Sequence, residues 1–463
     1  MRESRIGRRK FLRSLAGLGV GAWAATHARP ACSANGPNVL FIAIDDLNDW
    51  ITPLGGHPQA YTPNLEALAR RSVSFTRAYC SAPACNPSRA ALLTGRRASS
   101  SGVYYNASDW QAASRDATTL PRLFRDHGYH VAGGGKLFHG GQNDDSAWDE
   151  YLPLPPSPSP EGRPLNGIPG TRHFDWGPVH VAREDMGDWA LVEWGARQLH
   201  TLSHGFFLGV GIFRPHLPWY VPQRYFDLHP LDEIVLPDVN EDDLNDVPAS
   251  GRSMARTRDH RNVTGTDNWR RAVRGYLASV SFADDCLGRL MDGLAESPRA
   301  EDTAVVLWGD HGWHLGEKLH WRKFALWEEA TRCPLMMSIP GASADGEPCH
   351  RTVSLQDIYP TLASACGLPA APEVEGTDLM PLLASPSAAW SQPALTTYGR
   401  GNHSLRSERW RYIRYSDGGE ELYDHDADPL EWTNLAGTGA AKDVIAELSP
   451  WLPEADAPDA PRV

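Results

Sequence analysis

The chain has 463 residues, of which 41% are hydrophobic and 22% are charged. This balance is typical of a globular protein and excludes a disordered acidic chain, a collagen-like repeat and a multi-span membrane protein. Acidic residues outnumber basic residues, 57 to 44, and the formal net charge is −13. A surplus of negative charge argues against nucleic acid as a partner.

The first 36 residues differ in charge from the rest of the chain. They carry seven basic residues and one acidic residue, which leaves a net charge of −19 for the remainder. Arg8 and Arg9 precede a short glycine-rich apolar stretch, residues 15–25, that is too short to span a bilayer. This pattern predicts a Tat-type signal peptide and leader over residues 1–36, with a membrane anchor or lipidation of Cys32 as alternatives. We therefore expect a periplasmic or extracellular protein that uses the Tat export machinery and has no stable membrane insertion.

Short apolar runs alternate with amphipathic stretches, which predicts an α/β fold with a large, mostly parallel sheet sandwiched by helices. The expected strands are residues 38–44, 129–132, 206–213, 304–308 and 335–339, and the expected helices are 64–71, 273–294 and 355–368. Residues 152–180 are rich in proline and glycine, which predicts a long surface loop that shapes access to a site.

The C-terminal part of the chain has a different pattern. Residues 395–424 alternate aromatic and polar side chains, which predicts a smaller α+β subdomain with an antiparallel sheet. The expected division is a catalytic domain over 37–385 and a C-terminal subdomain over 386–463, with a loose proline-rich and aspartate-rich end.

The seven cysteines have no regular spacing, which argues against a zinc site and against a dense disulfide framework. Six of them follow the leader, so one or two disulfides are compatible with the sequence.

Polar side chains follow four of the expected strands. They are Asp45 and Asp46, then Lys136 and His139, then His216, and finally Asp310 and His311. Ligands of open parallel sheets bind beyond the carboxyl ends of the strands, so these groups are expected to converge on one site. Like charges on the three aspartates would repel one another without a cation, which predicts a bound Ca²⁺ or Mg²⁺. His311 is open to two interpretations, a metal ligand or a hydrogen-bond partner of the reacting group.

The most specific pattern is Pro83-Ala84-Cys85-Asn86-Pro87-Ser88-Arg89, which runs on to Thr94-Gly95. It resembles the sulfatase signature, in which the cysteine is oxidised to formylglycine after synthesis. Residues 128–139 are similar to the second signature of that family and retain Lys136 and His139. Residues 213–219 and 309–317 look most like the iduronate-2-sulfatase branch, and residues 420–435 are similar to the closing segment of the family.

The resemblance covers residues 37–437 and implies an alkaline-phosphatase-like fold, a Ca²⁺ or Mg²⁺ cofactor and a formylglycine-generating enzyme as a maturation partner. It implies metal ligation by Asp45, Asp46, Cys85, Asp310 and His311. Cys85, as a hydrated formylglycine, would supply the nucleophile that attacks sulfur.

The resemblance also implies the remaining roles at the site. Arg89 would fix the nucleophile, Lys136 and Lys323 would hold sulfate oxygens, His216 would protonate the leaving alcohol, and His139 would take a proton from the hydrated aldehyde. Trp313 is expected to join Lys136, His216 and Lys323 in substrate binding. Lys323 is preferred over Lys318 and Arg322 by its spacing from Asp310, and the other two are expected to be solvated.

The resemblance implies hydrolysis of sulfate monoesters, with a sulfated sugar or uronic acid of a polysaccharide as the expected substrate. One alternative is a phosphate or phosphonate ester hydrolase of the same superfamily. An alternative of another class is an inactive protein that binds sulfated glycans.

Overall fold

A computed structural model describes residues 36–168, 173–439 and 441–463. The predicted leader therefore lies outside the described residues, apart from its last position. The described strands are β1 Asn38–Ile44, β2 Val73–Tyr79, β3 His130–Gly135, β4 Glu150–Leu152, β5 Trp176–Val179, β6 Phe206–Ile212, β7 Trp219–Pro222, β8 Thr303–Gly309, β9 His314–Leu315, β10 Trp321–Arg322, β11 Leu335–Ser338, β12 Pro348–Ser354, β13 Ala394–Thr397, β14 His403–Arg406, β15 Trp410–Arg414 and β16 Glu420–Asp424.

The α-helices of the described residues range from a single turn to the 27 residues of the longest one. They are α1 Pro63–Ala69, α2 Cys85–Thr94, α3 Ala98–Ser101, α4 Trp110–Ala113, α5 Leu120–Asp126, α6 Gly187–Thr201, α7 Gln223–Phe226, α8 Ala249–Met254, α9 Thr257–Gly265, α10 Trp269–Ala295, α11 Glu328–Thr331, α12 Ile358–Ala365, α13 Met380–Ala384 and α14 Ala441–Leu448. None of them is long and apolar enough to cross a membrane.

Eight strands form the main sheet in the order β12, β2, β11, β8, β1, β6, β3, β4. β1 is parallel to both of its neighbours, β6 and β8, and β3 is parallel to β6 and β4. The expected fold class, a large and mostly parallel sheet between helices, is confirmed. β11 is the exception, because it runs antiparallel to β8 and β2.

The sheet buries both of its faces. Along β1 the side chains of Leu40 and Ile42 join one hydrophobic core, which also includes residues of α6 and α10, while Phe41 joins the other, which includes residues of α2 and α5. Strands that are covered by helices on both sides are apolar throughout, which explains why β1 is a continuous apolar run in the sequence. The central strands are therefore held rigidly, and the residues that follow them have fixed positions.

The C-terminal part contains the expected antiparallel sheet, with β13, β14, β15 and β16 in sequential order. The division at residues 385 and 386 stays a prediction. The prediction of a loose C-terminal end is wrong, because backbone hydrogen bonds attach this end to the segment after α2. Ala457 N donates to Ser99 O at 2.7 Å, and Ala460 N donates to Gly102 O at 2.8 Å.

Two further predictions are settled by the described residues. The predicted loop over 152–180 is largely irregular, but it contains β5, which pairs with β7 in a separate two-stranded sheet. All six described cysteines are buried free thiols, so the disulfides that the sequence allowed do not form among them.

Candidate active site

Three aspartates lie at one edge of the main sheet because the strands that precede them are parallel. Asp45 and Asp46 follow β1 directly, and Asp310 follows β8. All three are fully buried. Asp46 adopts a left-handed backbone conformation, with φ 60°, which aspartate tolerates better than most residues. Its amide N donates to Asp310 Oδ1 at 3.0 Å, so the turns after β1 and β8 support each other.

Cys85 is the first residue of α2 and is fully buried. Its Sγ lies 3.2 Å from Lys323 Nζ, 3.3 Å from His311 Nε2 and 3.9 Å from Asp46 Oδ1. A buried thiol with two nitrogen groups and a carboxylate around it is unlike an ordinary core cysteine. The sequence placed these residues at one site, and the fold brings them together.

We call the charged residues around this thiol the Cys85 cluster; its members are Asp45, Asp46, Cys85, Arg89, Lys136, Asp310, His311 and Lys323.

Three cations of the Cys85 cluster pair with its three carboxylates. Arg89 bridges two of them, with Nη2 at 3.2 Å from Asp45 Oδ1 and Nε at 2.9 Å from Asp310 Oδ2. Lys136 Nζ pairs with Asp45 Oδ2, and Lys323 Nζ lies 2.5 Å from Asp46 Oδ1. Charges this deeply buried need such partners, because burial without a partner costs several kcal/mol per ion.

The pairing shifts several pKa values. Burial raises the pKa of Asp45, but Lys136, His216 and Arg89 outweigh it and hold that pKa well below its usual range. Burial, only partly offset by Arg89 and His311, raises the pKa of Asp310 to about 6. The pKa of Cys85 is lowered although burial opposes this, because Lys136, Lys323 and His311 stabilise the thiolate. Buried positive charge at the site therefore favours the ionised form of the group at position 85.

The donor atoms of the cluster fit a hard divalent cation. Ligand atoms of Asp45, Cys85, Asp310 and His311 all lie within 4.8 Å of one another, and so do those of Asp45, Asp46, Cys85 and His216. Asp46 Oδ2 is buried and has no hydrogen-bond partner within the described residues. A buried carboxylate oxygen without a hydrogen-bond partner is costly, and the carboxylate oxygens of the three aspartates are the kind of ligand that suits Ca²⁺ and Mg²⁺.

His216 lies above the aspartates, with Nε2 at 3.9 Å from Asp46 Oδ2. Its Nδ1 is 2.6 Å from the carbonyl oxygen of Leu217, which can only accept. Nδ1 therefore carries a proton, and Nε2 is the ring nitrogen that faces Asp46. His139, which is half-buried, contributes through a hydrogen bond to the lowered pKa of Cys85.

A cavity of about 530 Å³ opens beside the cluster. Lys136, His139 and His216 lie on its wall. The wall also includes Phe138 and other residues after β3, and Phe213, which follows β6. This volume is in the range of pockets that bind small molecules. The cavity reaches the Cys85 cluster at Lys136, the member of the cluster that lies on its wall.

Lys323 is held by a strained loop. Lys318, Leu319, Arg322 and Phe324 all have φ between 50° and 80°, a region that non-glycine residues rarely adopt. Arg256 N donates to His320 Nδ1 at 2.7 Å, so His320 Nε2 carries the proton that binds the Lys323 carbonyl at 3.0 Å.

Lys318 fastens the same loop. Its Nζ lies 2.7 Å from Asp243 Oδ1 and also binds the carbonyl oxygen of Glu431, after β16. The expectation that Lys318 and Arg322 are solvated is wrong: the Lys318 side chain is 3% exposed, and Arg322 Nε pairs with Asp259 at 2.8 Å.

Trp313 needs a second correction. The residue is 2% exposed, and Lys323 Nζ lies 5.2 Å from the centre of its ring. The Trp313 ring therefore packs against the Lys323 ammonium group and is too buried to contact a substrate. Trp219, another tryptophan near the site, is buried against the Trp313 and Tyr276 rings.

Two side chains that the sequence did not single out also fix the site. Tyr276 OH donates to the carbonyl oxygen of Asp46 at 2.8 Å, and Ser88 Oγ donates to that of Asp310 at 2.5 Å. Ser88 lies inside the Cys85 motif, so its position was a signal. Tyr276 lies in α10, and nothing in the local sequence distinguishes it from a core tyrosine.

Comparisons with known proteins agree with this geometry. The family model described as Sulfatase matches residues 37–368, and the model described as N-sulphoglucosamine sulphohydrolase, C-terminal, matches residues 309–457. A protein of Formosa agariphila described as a sulfatase is 38% identical over 91% of this chain and 87% of its own length. The iduronate 2-sulfatase of Mus musculus is 31% identical over 72% of this chain and 69% of its own.

A comparison of structures agrees with these sequence matches at the level of the fold. The crystal structure of a phosphonate monoester hydrolase of Agrobacterium radiobacter superposes with a TM-score of 0.74 and 22% identity, over 89% of this chain and 94% of that one.

Proposed function

This chain belongs to the sulfatase family and is a sulfuric ester hydrolase, and on that premise we propose that it hydrolyses a sulfate monoester of a sulfated sugar at the Cys85 cluster. The observation that carries the proposal is the environment of the Cys85 thiol, which has Lys323 Nζ at 3.2 Å, His311 Nε2 at 3.3 Å and three buried carboxylates close by. We further propose that Cys85 is converted to formylglycine, and that Asp45, Asp46, Asp310 and His311 hold Ca²⁺ or Mg²⁺ together with that residue.

When both are present, formylglycine supplies the attacking hydroxyl and the metal supplies positive charge beside the sulfate. Asp46 Oδ2 is buried and has no hydrogen-bond partner among the described residues. This supports a metal at this position, because a bond to the metal would satisfy that oxygen.

Lys136 and Lys323 bind the sulfate oxygens in this proposal. A sulfate ester repels an incoming anion, so the site must surround it with positive charge that is in place before the substrate arrives. Both lysines are at least nine-tenths buried, and each keeps a carboxylate partner that fixes the position of its ammonium group. Arg89 pairs with Asp45 and Asp310 and donates to the Leu137 carbonyl, so it balances the charge of the two carboxylates.

His216 gives a proton to the departing alcohol oxygen. The Leu217 carbonyl keeps the proton on Nδ1, so Nε2 acts as the donor when the ring is cationic. His139, on the cavity wall beside Cys85, is positioned to receive a proton from residue 85 after the ester bond is broken.

The phosphonate monoester hydrolase shares the fold with this chain, but at 22% identity the similarity says nothing about substrate. It therefore does not favour a phosphonate ester over a sulfate ester. An inactive glycan-binding protein is the less favoured alternative. Such a protein would not need the buried aspartates, Cys85 and His311 that lie together beside the cavity.

The proposal also includes the maturation route. The basic leader over residues 1–36 would direct Tat export to the periplasm or the outside of the cell, and a formylglycine-generating enzyme would act on the Cys85 motif before folding buries it. A sulfated carbohydrate would then be met outside the cytoplasm.

The test is to co-express the chain with a formylglycine-generating enzyme, to measure the aldehyde at position 85 by mass spectrometry, and to assay sulfated monosaccharides and oligosaccharides beside matched phosphate and phosphonate esters. Release of sulfate that scales with the aldehyde content is the expected result. A preference for the phosphorus esters, or no turnover by a fully converted chain, would overturn the proposal.

A further inference from the structure

The cavity beside the Cys85 cluster has an uneven distribution of charge. Its basic groups are Lys136, His139 and His216, which lie next to the cluster. The one carboxylate on the wall belongs to Asp145, which is exposed and forms no ion pair with those three groups within the described residues. A substrate that places its sulfate at the cluster therefore meets negative charge farther along the wall.

The side chains next to Asp145 offer several acceptors. One N–H of Asn143 and the Tyr151 hydroxyl proton are already used: Asn143 Nδ2 donates to Asp145 Oδ1 at 3.0 Å, and Tyr151 OH donates to the carbonyl of Gly135 at 2.7 Å. Asp145 Oδ2 and the second lone pair of the Tyr151 oxygen are left to accept. Sugar hydroxyls can donate to such atoms, whereas a carboxylate beside them, which only accepts, has the second N–H of Asn143 as a donor and is repelled by Asp145.

The aromatic residues of the wall do not form a cage for a quaternary ammonium group. Lys136 Nζ lies 5.3 Å from the ring centre of Phe213, and the Arg214 guanidinium lies 5.2 Å from it. Phe138 stacks on Trp110 at 4.9 Å. Two cations already use the Phe213 ring, so a third would be repelled rather than bound.

We propose that this cavity selects a sulfated sugar whose ring is uncharged, in preference to a sulfated uronic acid, and that Asp145 is the residue that sets this preference. The inference rests on the proposed function and deepens it by naming the substrate class. Apolar side chains such as Phe138 and Leu154 would cover the ring, and Asp145 would accept from its hydroxyls while it repels a carboxylate.

The experiment uses the mature chain with converted Cys85 and pairs of methyl glycosides, a glucoside and a glucuronide that carry sulfate at the same ring oxygen. We expect kcat/KM for the glucoside to exceed that for the glucuronide by about tenfold, the effect of one like charge a few ångströms away near the protein surface. Asp145→Lys should narrow or reverse this ratio, and Asp145→Asn should fall between.

The matched control is Asp443→Lys, which makes the same charge change at an exposed position of α14 and should leave the ratio unchanged. Preference for the glucuronide, an equal response to both lysine variants, or faster turnover of choline sulfate would overturn the inference. So would turnover of 4-nitrophenyl sulfate without turnover of any glycoside. If a fully converted chain turns over none of these esters, the proposed function itself fails.

Discussion

The Cys85 cluster can be compared with a second group of buried charges at the C-terminal sheet, which we call the Glu328 cluster; its members are Glu328, Arg406, Arg411, His425 and Glu431. Both contain acids and bases within a few ångströms of one another, and both include three or more side chains of the kinds that bind metals. They differ in how completely their carboxylate oxygens are hydrogen-bonded within the described residues.

In the Glu328 cluster the carboxylates are saturated by protein groups. Glu328 accepts from Tyr79 OH at 2.8 Å and pairs with Arg411 and with Arg406. Glu431 lies 2.5 Å from Arg411 Nε and 2.9 Å from His425 Nε2. Arg411 and His425 together outweigh burial and lower the pKa of Glu431 to about 2. These interactions hold the C-terminal sheet to α11.

In the Cys85 cluster, by contrast, Asp46 Oδ2 has no hydrogen-bond partner within the described residues, and a thiol lies between a lysine and a histidine. Burial and charge are common to both groups, so neither identifies a site. Incomplete satisfaction beside an open cavity does, because a ligand can supply the missing partner. The comparison predicts that variants of the first cluster lose activity and that variants of the second lose stability.

The largest effect is expected for Lys323→Met. The substitution removes a buried cation that lies 3.2 Å from Cys85 Sγ, and we expect kcat to fall about a thousandfold, as for other losses of preorganised charge. Steady-state kinetics on 4-nitrophenyl sulfate, with thermal unfolding in parallel, measures it. Lys442→Met, at an exposed position of α14, is the matched control and should behave as the parent chain. Near-normal kcat in Lys323→Met would break the comparison.

Arg411→Met tests the other cluster. It leaves Glu328 and Glu431 buried without their shared cation, so we expect the free energy of unfolding to fall by about 3–5 kcal/mol, while kcat of the folded enzyme stays within about twofold. Urea unfolding gives the stability. Arg409→Met removes an exposed pair with Asp424 and should leave the midpoint of urea unfolding close to that of the parent chain. A loss of kcat in Arg411→Met without a loss of stability would contradict the assignment.

Lys318→Met joins the two regions, because Lys318 connects the loop of Lys323 to Asp243 and to the Glu431 carbonyl. Because Lys318 positions Lys323, we expect Lys318→Met to lower kcat about tenfold and to change KM less. On the Lys323→Met background the same substitution should add little, because the group that it positions is gone. Additive losses of kcat in the double variant would show that Lys318 does not act through Lys323.

A smaller effect concerns acid stability. The pKa of Glu431 is about 2 in the folded chain and 4.5 as an ordinary glutamate, so its contribution to stability is present above about pH 4.5 and is lost as the pH falls toward 2. Glu431→Gln removes this dependence. Between about pH 5 and pH 3, urea unfolding should show a steeper loss of stability in the parent chain than in the variant, and parallel losses would contradict the sign.

The sequence was most informative where chemistry and local structure coincide. Asp45 and Asp310 follow apolar runs that only a covered parallel strand explains, so their convergence follows from the geometry of such sheets. Cys85 and Arg89 lie in one helical turn, where spacing alone fixes their relation. Runs such as β11 carry no sign of direction, which is why its antiparallel orientation was not predicted.

Other features depend on partners that are distant in the sequence. Lys318 is buried because Asp243 and Glu431 neutralise and bind it from 75 and 113 residues away, and no local pattern announces this. The same holds for Trp313, whose burial depends on the strained loop that places Lys323 over its ring. Residue type indicates what chemistry a side chain can perform. Long-range packing decides which residues of that type are exposed.

The most direct test of the central claim, that residue 85 is the nucleophile and needs formylglycine to turn over, is the intact mass of Cys85→Ser after incubation with 4-nitrophenyl sulfate, in a host that leaves the serine unmodified. A serine hydroxyl can accept the sulfate but has no second hydroxyl with which to expel it. The account predicts one covalently retained sulfate and no further turnover. Repeated turnover by the serine variant, or no sulfate on residue 85, would contradict it.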